Sequence, residues 1–269
     1  MSFSRKEDSI YQIKYDNSNE INYNGIDYSN KSPKELNHLF EDVLNTKMHG
    51  LCFSLYEDGQ KPGDCITEEQ VRRRMKIIAP YTKWVRSFSC TEGNEFIPII
   101  AREYGIKTLV GAWLGNDPEV NEREIEGLIK LSNEGFVDIA AVGNEVMYRK
   151  DLTEEELLQF IERVKKAVPN TIPVSYVDAY YEFTIKPRIA EACDLILTNC
   201  YPYWEGCNLE YSLGHMKQMY HQALQAGNGK KVIITETGWP SQGESFKDAH
   251  PSKDNAIKYF INTQLWSQE

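Results

Sequence analysis

The chain has 269 residues, of which 41% are hydrophobic and 26% charged, and it carries a formal net charge of -10. This length and apolar content suit one large globular domain and leave no long tract too polar to fold. The acidic balance excludes a nucleic-acid-binding protein, because phosphate binding depends on Lys and Arg, and it favours a neutral or cationic small ligand.

No apolar run approaches the roughly 20 residues of a membrane span, and the polar start of the chain lacks the apolar stretch of a secretory signal. We therefore expect a monomer that neither enters a membrane nor binds nucleic acid. Its expected location is the cytoplasm, unless it is a secreted form that has already been trimmed.

Residues 1–31 are polar and rich in Asn, Asp and Tyr, with a turn at Asn24-Gly25. They are predicted to form an arm outside the main domain, which is predicted to span 32–269. Ser32 is a suitable cap for a helix over 33–47, where apolar residues recur at helical spacing.

From His49 onward, short apolar runs alternate with longer amphipathic segments, which is typical of parallel strands joined by crossover helices. Seven strands are predicted, at 49–56, 84–90, 107–114, 137–145, 173–180, 194–203 and 231–240. The predicted helices between and after them include 67–78, 121–131, 153–168 and 251–269. The alternation predicts an α/β fold, a TIM-type (β/α)₈ barrel that lacks its eighth βα unit in this sequence.

A barrel of seven strands leaves backbone groups unpaired between the last strand and the first. Either the sequence is a truncated product, or residues 10–28, which include YQIKY, fill the gap. We favour truncation, because a barrel strand supplied by such an arm is the rarer arrangement.

Six cysteines are spread through strand-like segments, without CxxC pairs or histidines at zinc spacing, so we expect buried thiols and no metal site. Cys200 and Cys207 would pair only in an exported protein. No nucleotide-binding or serine-hydrolase motif occurs, and no cofactor is expected. The six are Cys52, Cys65, Cys90, Cys193, Cys200 and Cys207.

Two carboxylates end almost wholly apolar strands, Glu145 in AAVGNEV and Glu236 in IITETGW. A carboxylate in such a place loses hydration unless it is paired, and catalytic groups of a barrel lie at the carboxyl ends of its strands. Two carboxylates facing one cleft are what cleavage of a glycosidic bond requires. The purely structural alternative pairs each glutamate with a core arginine such as Arg86. We expect Arg86 to serve both purposes, because its charge would keep a nucleophilic carboxylate ionised.

The segments VGNEV (142–146) and VIITETGWPSQG (232–243) resemble the signature segments of glycoside hydrolase family 17, and the second is the more specific. The resemblance extends over 49–266, including FSLYEDGQ, VRSFSCTEGNE and NCYPYWEG, and is stronger to the microbial branch than to the plant branch.

This resemblance implies a retaining mechanism on β-1,3-glucan, by hydrolysis or by transfer to another sugar, with Glu145 as acid and base and Glu236 as nucleophile. It also implies that Asn144 binds the 2-hydroxyl of the sugar being cleaved and that Tyr201 orients Glu236. Polar or aromatic residues at other strand ends are candidates for substrate contact: Tyr56, Arg86, Asp178, Tyr180, Trp204 and Trp239.

Aromatic rings could hold an acceptor sugar and exclude water, and the candidate platforms are Tyr180, Tyr181, Tyr203, Trp204 and Trp239. Trp113 suits barrel filling and sugar stacking equally well. Two alternatives remain open. One is the same barrel acting on β-1,6- or β-1,4-linked glucan, and the other is a glucan-binding form that is impaired in catalysis because its eighth unit is missing.

Overall fold

Seven parallel strands form one sheet in the computed structural model, which describes residues 25–268, and each strand pairs with its neighbours in chain order. All seven predicted strands are present, although each is shorter than predicted. The first is reduced to two residues, although the Phe53 amide that follows still donates to the Arg86 carbonyl on the second strand at 2.9 Å. The strands are β1 Leu51–Cys52, β2 Trp84–Ser87, β3 Lys107–Ala112, β4 Ile139–Asn144, β5 Val174–Ala179, β6 Ile196–Asn199 and β7 Val232–Glu236.

Helices cover the outside of the sheet, and most of the longer ones begin where the sequence places a capping side chain, although the helix Ser212–Gly227 has none. Ser32 and Thr153 each form a capping box with the glutamate three residues later, and Thr67 caps its helix in the same way without the reciprocal bond. The α-helices are α1 Pro33–Asn45, α2 Glu68–Ile78, α3 Phe96–Glu103, α4 Pro118–Asn133, α5 Val146–Arg149, α6 Glu154–Ala167, α7 Glu182–Ile185, α8 Pro187–Ala192, α9 Ser212–Gly227 and α10 Lys253–Trp266. Short 3₁₀ helices lie at Ala79–Tyr81, Tyr203–Glu205 and Leu209–Tyr211.

The strands bury both of their faces, which explains why they read as continuous apolar runs. On β4, Ile139 and Ala141 belong to a small cluster inside the barrel, whereas Ala140 and Val142 pack in the larger cluster that includes helix residues. This alternation follows from the two-residue period of a strand, and it leaves the polar strand-end residues at the mouth of the barrel.

The β7–β1 seam is the place where an eighth strand would lie in a complete barrel. No β1–β7 strand pairing occurs among residues 25–268, but the Cys52 thiol on β1 donates a hydrogen bond to the Thr235 carbonyl on β7 at 3.2 Å. Outside the seam, α1 packs against α10 through a shared apolar cluster that includes Leu36 and Ile261. The first and last helices are therefore neighbours around the barrel.

The N-terminal arm predicted over 1–31 is described only from residue 25. Ile26 and Tyr28 bind Asn262 of α10 through the Ile26 amide and the Tyr28 hydroxyl. Residues 10–24, most of the segment considered as a filler of the seam, lie outside the described residues.

The cysteines are free thiols, and four of them are buried as predicted, whereas Cys52 and Cys65 are exposed. Cys52 lies at the seam, where no strand among residues 25–268 lies between β1 and β7. Among the described residues, no helix has the length and apolarity to cross a membrane.

Candidate active site

The two predicted catalytic carboxylates lie together at the mouth of the barrel, joined by one amide. Asn199, the last residue of β6, donates from Nδ2 to Glu145 Oε1 at 3.0 Å and to Glu236 Oε1 at 2.9 Å. Those two oxygens are therefore at most about 6 Å apart, close to the roughly 5–5.5 Å between the carboxyl groups of retaining glycosidases.

An unusual backbone conformation aims Glu145 into the cleft. Its φ of 52° and ψ of 27° lie in the left-handed region, which residues other than Gly seldom adopt. Gly143, two residues earlier, has a φ of 87°, and the pairing of β4 with β5 shifts register between Ala141 and Asn144. The Glu145 amide still donates to the Val177 carbonyl at 2.8 Å, so the turn remains tied to β5 while its side chain points into the mouth.

The Glu236 carboxylate is held by three donors. Arg86 Nη1 donates to Oε1 at 2.5 Å, the Tyr201 hydroxyl donates to Oε2 at 2.7 Å, and Asn199 supplies the third bond. The guanidinium is almost fully buried and stacks over the Phe88 ring, 4.3 Å from its centroid. Because each of the three partners donates a hydrogen bond and one of them carries positive charge, this setting fixes the direction of the Glu236 carboxylate.

Glu145 has a different environment, which favours its protonated form. Burial raises the pKa of the Glu145 carboxyl above its ordinary value; the Asn199 hydrogen bond opposes that rise, and the negative charge of Glu236 adds to it. Arg149 and Arg86 lower the same pKa through their positive charges, with a smaller influence. A carboxyl group with a raised pKa is suited to donate a proton near neutral pH.

Asn144 precedes Glu145, and its side-chain orientation is set by Arg86. Arg86 Nη2 donates to Asn144 Oδ1 at 2.7 Å. A guanidinium can only donate, so the amide oxygen must face it, and the Asn144 Nδ2 group is left to donate elsewhere. The contact of Asn144 with a sugar 2-hydroxyl, which the sequence resemblance implies, stays a prediction.

Asp178 was predicted to contact substrate, and the structure contradicts this. Its side chain is fully buried on β5, where it accepts hydrogen bonds from the Tyr176 hydroxyl and from the amides of Ala179 and Tyr148. Burial raises the pKa of the Asp178 carboxyl well above its ordinary value. Asp178 therefore supports the structure below the mouth, because β5 and the neighbouring loops cover it completely.

Most of the predicted aromatic platforms are also buried. Tyr180 and Trp239, both predicted to contact substrate, are 1% and 8% exposed. The Tyr180 hydroxyl donates to Glu205, and Trp239 donates from Nε1 to the His250 carbonyl. These rings pack in the core because the loops after β5, β6 and β7 fold over them. Tyr181 and Tyr203 are buried in the same region.

Two tryptophans remain accessible at the mouth. Trp204, in the loop after β6, is 47% exposed and packs edge-on against Tyr203, with ring centroids 5.0 Å apart. Trp113, directly after β3, is 40% exposed, which answers the question left open by the sequence: it does not fill the barrel. Tyr56 is half-buried in the loop after β1, and burial raises the pKa of its hydroxyl.

Two residues of the site were not among the predicted site residues. Asn199 is a polar residue within the predicted strand 194–203, but only the fold shows that it lies between the carboxylates. Arg149 donates to the backbone carbonyls of Asn144 and Leu114. Its sequence signal was weak, because a lone arginine in a short helix is ordinarily a surface residue. Among residues 25–268, no group of three or more His, Cys, Asp or Glu is arranged to hold a metal ion.

A pair of close carboxylates at the carboxyl ends of barrel strands, one half-buried with a raised pKa and one held by three donors, defines the site of a glycosidase. The chain belongs to the BtgE/BtgC glycoside hydrolase domain family, whose model matches residues 50–268. It is thus an O-glycosidase, in agreement with the family 17 resemblance of its motifs.

Comparisons with individual proteins agree with this family. The chain is 26% identical over 217 residues to a glucan 1,3-beta-glucosidase of Candida albicans, covering 72% of this chain and 70% of that protein. The crystal structure of a glycoside hydrolase family 17 beta-1,3-glucanosyltransferase from Rhizomucor miehei superposes with a TM-score of 0.73 at 28% identity, covering 83% of this chain and 84% of that one. An active-site mutant of the same enzyme, in complex with laminaritriose, gives a TM-score of 0.74 at 27% identity over the same shares.

Proposed function

We propose that the chain cleaves β-1,3-linked glucan with retention of configuration, using Glu145 as acid and base and Glu236 as nucleophile. The observation that carries the proposal is the single Asn199 amide bound to both carboxylates, which supports a separation suited to a covalent intermediate. The substrate is inferred from the glucosidase and glucanosyltransferase relatives, one of them in complex with laminaritriose. We take the chain to act as a monomer, without nucleic acid or a membrane as partner.

In the first step the Glu145 carboxyl gives its proton to the glycosidic oxygen while a Glu236 oxygen attacks the anomeric carbon. The bond from that carbon to the glycosidic oxygen breaks, the shortened glucan leaves as an alcohol, and the remaining glycosyl group is joined to Glu236 as an ester. Arg86 and Tyr201 hold Glu236 for this attack. The Asn144 Nδ2 group donates to the 2-hydroxyl of the reacting sugar.

In the second step Glu145, now a carboxylate, takes a proton from the incoming hydroxyl group. The oxygen of that group attacks the anomeric carbon and releases Glu236, so the two inversions together retain the β configuration. The incoming group is water in hydrolysis and a sugar hydroxyl in transfer. Trp204 is exposed beside the site, and an aromatic ring there suits an acceptor sugar.

Proton NMR of the first products from a laminari-oligosaccharide tests the mechanism. The β anomer is expected to form first and to mutarotate later. An initial α anomer would overturn the assignment of Glu236 as nucleophile, because direct attack by water inverts the anomeric centre.

The linkage is tested by incubating the chain with laminarin, with a β-1,6-glucan and with a β-1,4-glucan under the same conditions. Faster release of sugar from laminarin supports the proposal, whereas faster release from either of the others would move the activity to that linkage. Binding of laminari-oligosaccharide without any turnover would make the chain a glucan-binding protein. Oligosaccharides longer than the starting one indicate transfer in addition to hydrolysis.

A further inference from the structure

Trp113 is exposed at the mouth of the barrel, and the catalytic steps described above do not use it. Within residues 25–268, Trp113 and Trp204 are the two tryptophans with large exposed areas, at 40% and 47%. Each lies in a loop that follows the carboxyl end of a strand, β3 for Trp113 and β6 for Trp204. An indole exposed to water loses the benefit of burying its apolar surface, so two of them at one rim indicate a ligand with apolar faces.

The Trp113 ring is braced from one side. The guanidinium carbon of Arg149 lies 4.7 Å from the ring centroid, a cation–π arrangement. Arg149 is itself fixed, because it donates to the backbone carbonyls of Leu114 and Asn144 and pairs with Asp151 at 2.6 Å. A ring held in this way loses little conformational freedom when a ligand stacks on it.

The backbone at Trp113 is held by hydrogen bonds to the buried carboxylate of Glu124 on α4. The Trp113 amide donates to Glu124 Oε2 at 2.9 Å, and the Cys90 amide donates to the same oxygen at 2.9 Å. The hydroxyls of Ser89 and Thr91 each donate to Oε1 at 2.6 Å. One carboxylate thus ties the loop after β2 to the end of β3, so the platform is rigid in both its backbone and its ring.

The same contacts relate Trp113 to the chemistry. Because β3 pairs with β4, Trp113 lies next to the strand that ends in Asn144 and Glu145, and Arg149 binds both the Trp113 ring and the Asn144 carbonyl. Trp204 follows β6, which pairs with β7 and its Glu236. The two exposed rings therefore belong to different flanks of the mouth. Glu145 follows β4, which lies between β3 and β6, and Glu236 ends β7, which lies beside β6.

We propose that Trp113 is the stacking platform of a second glucosyl-binding subsite, on the β3 flank of the cleft, and that Arg149 positions this platform relative to Glu145. The ligand is a glucosyl unit of the glucan substrate, so the inference rests on the proposed function. The apolar C–H face of a pyranose ring stacks on the open face of the indole, and Arg149 supports the other face. A glucan long enough to reach Trp113 is bound more tightly than a shorter one.

The test measures binding of laminari-oligosaccharides of increasing length by calorimetry, with Glu236→Gln as the background that prevents turnover. Trp113→Ala in this background is expected to weaken binding of the longer oligosaccharides by on the order of tenfold and to leave the shortest one nearly unchanged. Trp113→Phe keeps a smaller ring, so its affinity for the longer oligosaccharides is expected to lie between that of the Glu236→Gln background and that of Trp113→Ala. Tyr104→Ala is the matched control, because Tyr104 is 47% exposed and precedes β3, at the opposite end of the barrel.

The outcomes separate the two proposals. If the Glu236→Gln chain binds no laminari-oligosaccharide of any length, the proposed substrate is wrong. If it binds them but Trp113→Ala resembles Tyr104→Ala at every length, the subsite is wrong and the proposed function stands. An equal loss at every length also overturns the subsite, because it indicates a general disturbance of the cleft.

The positioning role of Arg149 is tested in otherwise active enzyme by the dependence of KM on oligosaccharide length. Arg149→Met is expected to remove the fall in KM with increasing oligosaccharide length, as Trp113→Ala does. The double variant is expected to lose no more of this length dependence than either single variant. Arg149→Lys keeps the charge without the flat guanidinium and is expected to recover little of this length dependence. Additive losses in the double variant would contradict a shared role.

Discussion

Glu145 and Glu236 occupy equivalent places, each at the carboxyl end of a strand, and their surroundings nevertheless differ. Glu236 accepts hydrogen bonds from Arg86, Tyr201 and Asn199, whereas the half-buried Glu145 accepts one from Asn199. The shared amide holds both in place without distinguishing between them. The arginine and tyrosine on one side and the partial burial on the other are what the proposed mechanism needs to give two identical side chains opposite tasks.

The largest loss of activity is expected from replacing Glu236, the carboxylate that accepts three hydrogen bonds. Glu236→Gln removes the nucleophile while keeping the volume, so kcat on laminarin should fall by at least about 10⁴-fold with the fold retained. The exposed Glu126→Gln on α4 is a control for the loss of one carboxylate. Activity of Glu236→Gln within tenfold of the parent would contradict the assignment.

Glu145→Gln is expected to have a smaller and substrate-dependent effect. With glucan, loss of the proton donor should slow the enzyme by about 10²–10⁴-fold. An aryl glucoside with a good leaving group needs no proton, so formation of its glycosyl-enzyme should be nearly unimpaired, and added azide should restore turnover by attacking the intermediate. If azide rescues Glu236→Gln as a β-azide instead, the two roles must be exchanged.

A third change asks whether the charge of Arg86 or its geometry supports Glu236. Arg86 donates to Glu236 and Asn144 at once, which a lysine cannot reproduce. Arg86→Lys is therefore expected to lower kcat/KM by about 10–100-fold although the charge is kept. Full activity would show that charge alone is sufficient.

The smallest effect is a shift in pH dependence. The first step requires protonated Glu145, so kcat/KM should decline as pH rises through the pKa of this group, which burial has raised. Among the described residues, the charged or titratable groups that interact with it are Glu236, Arg86, Arg149, Asp178 and Tyr201. Arg149→Met removes a charge that lowers this pKa, so the alkaline limb should move to higher pH.

Arg149→Lys serves as the control for that shift, because it keeps the positive charge and should leave the alkaline limb near its original position. The measurement is kcat/KM against pH for the parent and both variants on a short oligosaccharide. A limb that moves to lower pH in Arg149→Met, or moves equally in both variants, would contradict the charge effect.

The sequence was sufficient to predict the strands and the meeting of two carboxylates at one cleft, Glu145 and Glu236, and the physical reason is the same for both. Strands buried on both faces must be apolar throughout, so each run is visible, and a carboxylate ending such a run stands out. The platform residues could not be predicted in this way. Tyr180, Trp204 and Trp239 are all aromatic residues close to the carboxyl end of a strand. Only the folding of the loops over them decides which ring is exposed.

Asn199 and Arg149 were missed for a related reason. Asn199 lies 54 residues from Glu145 and 37 from Glu236, so its bridging position depends on how β4, β6 and β7 are arranged around the barrel. The contacts of Arg149 with Leu114 and Trp113 depend in the same way on the pairing of β3 with β4. A sequence pattern identifies such residues as polar but does not identify their partners.

The left-handed backbone at Glu145 lowers the thermal stability of the protein at a residue on which the proposed turnover depends. Holding a side chain with a β-carbon in this region costs about 1–2 kcal/mol relative to ordinary conformations, and glycine or asparagine would adopt it more easily. Burial of the carboxyl group adds to that cost. An inactive chain with Glu145→Gly or Glu145→Asn is therefore expected to melt at a higher temperature than the active one, by roughly 2–4 °C for each kcal/mol recovered.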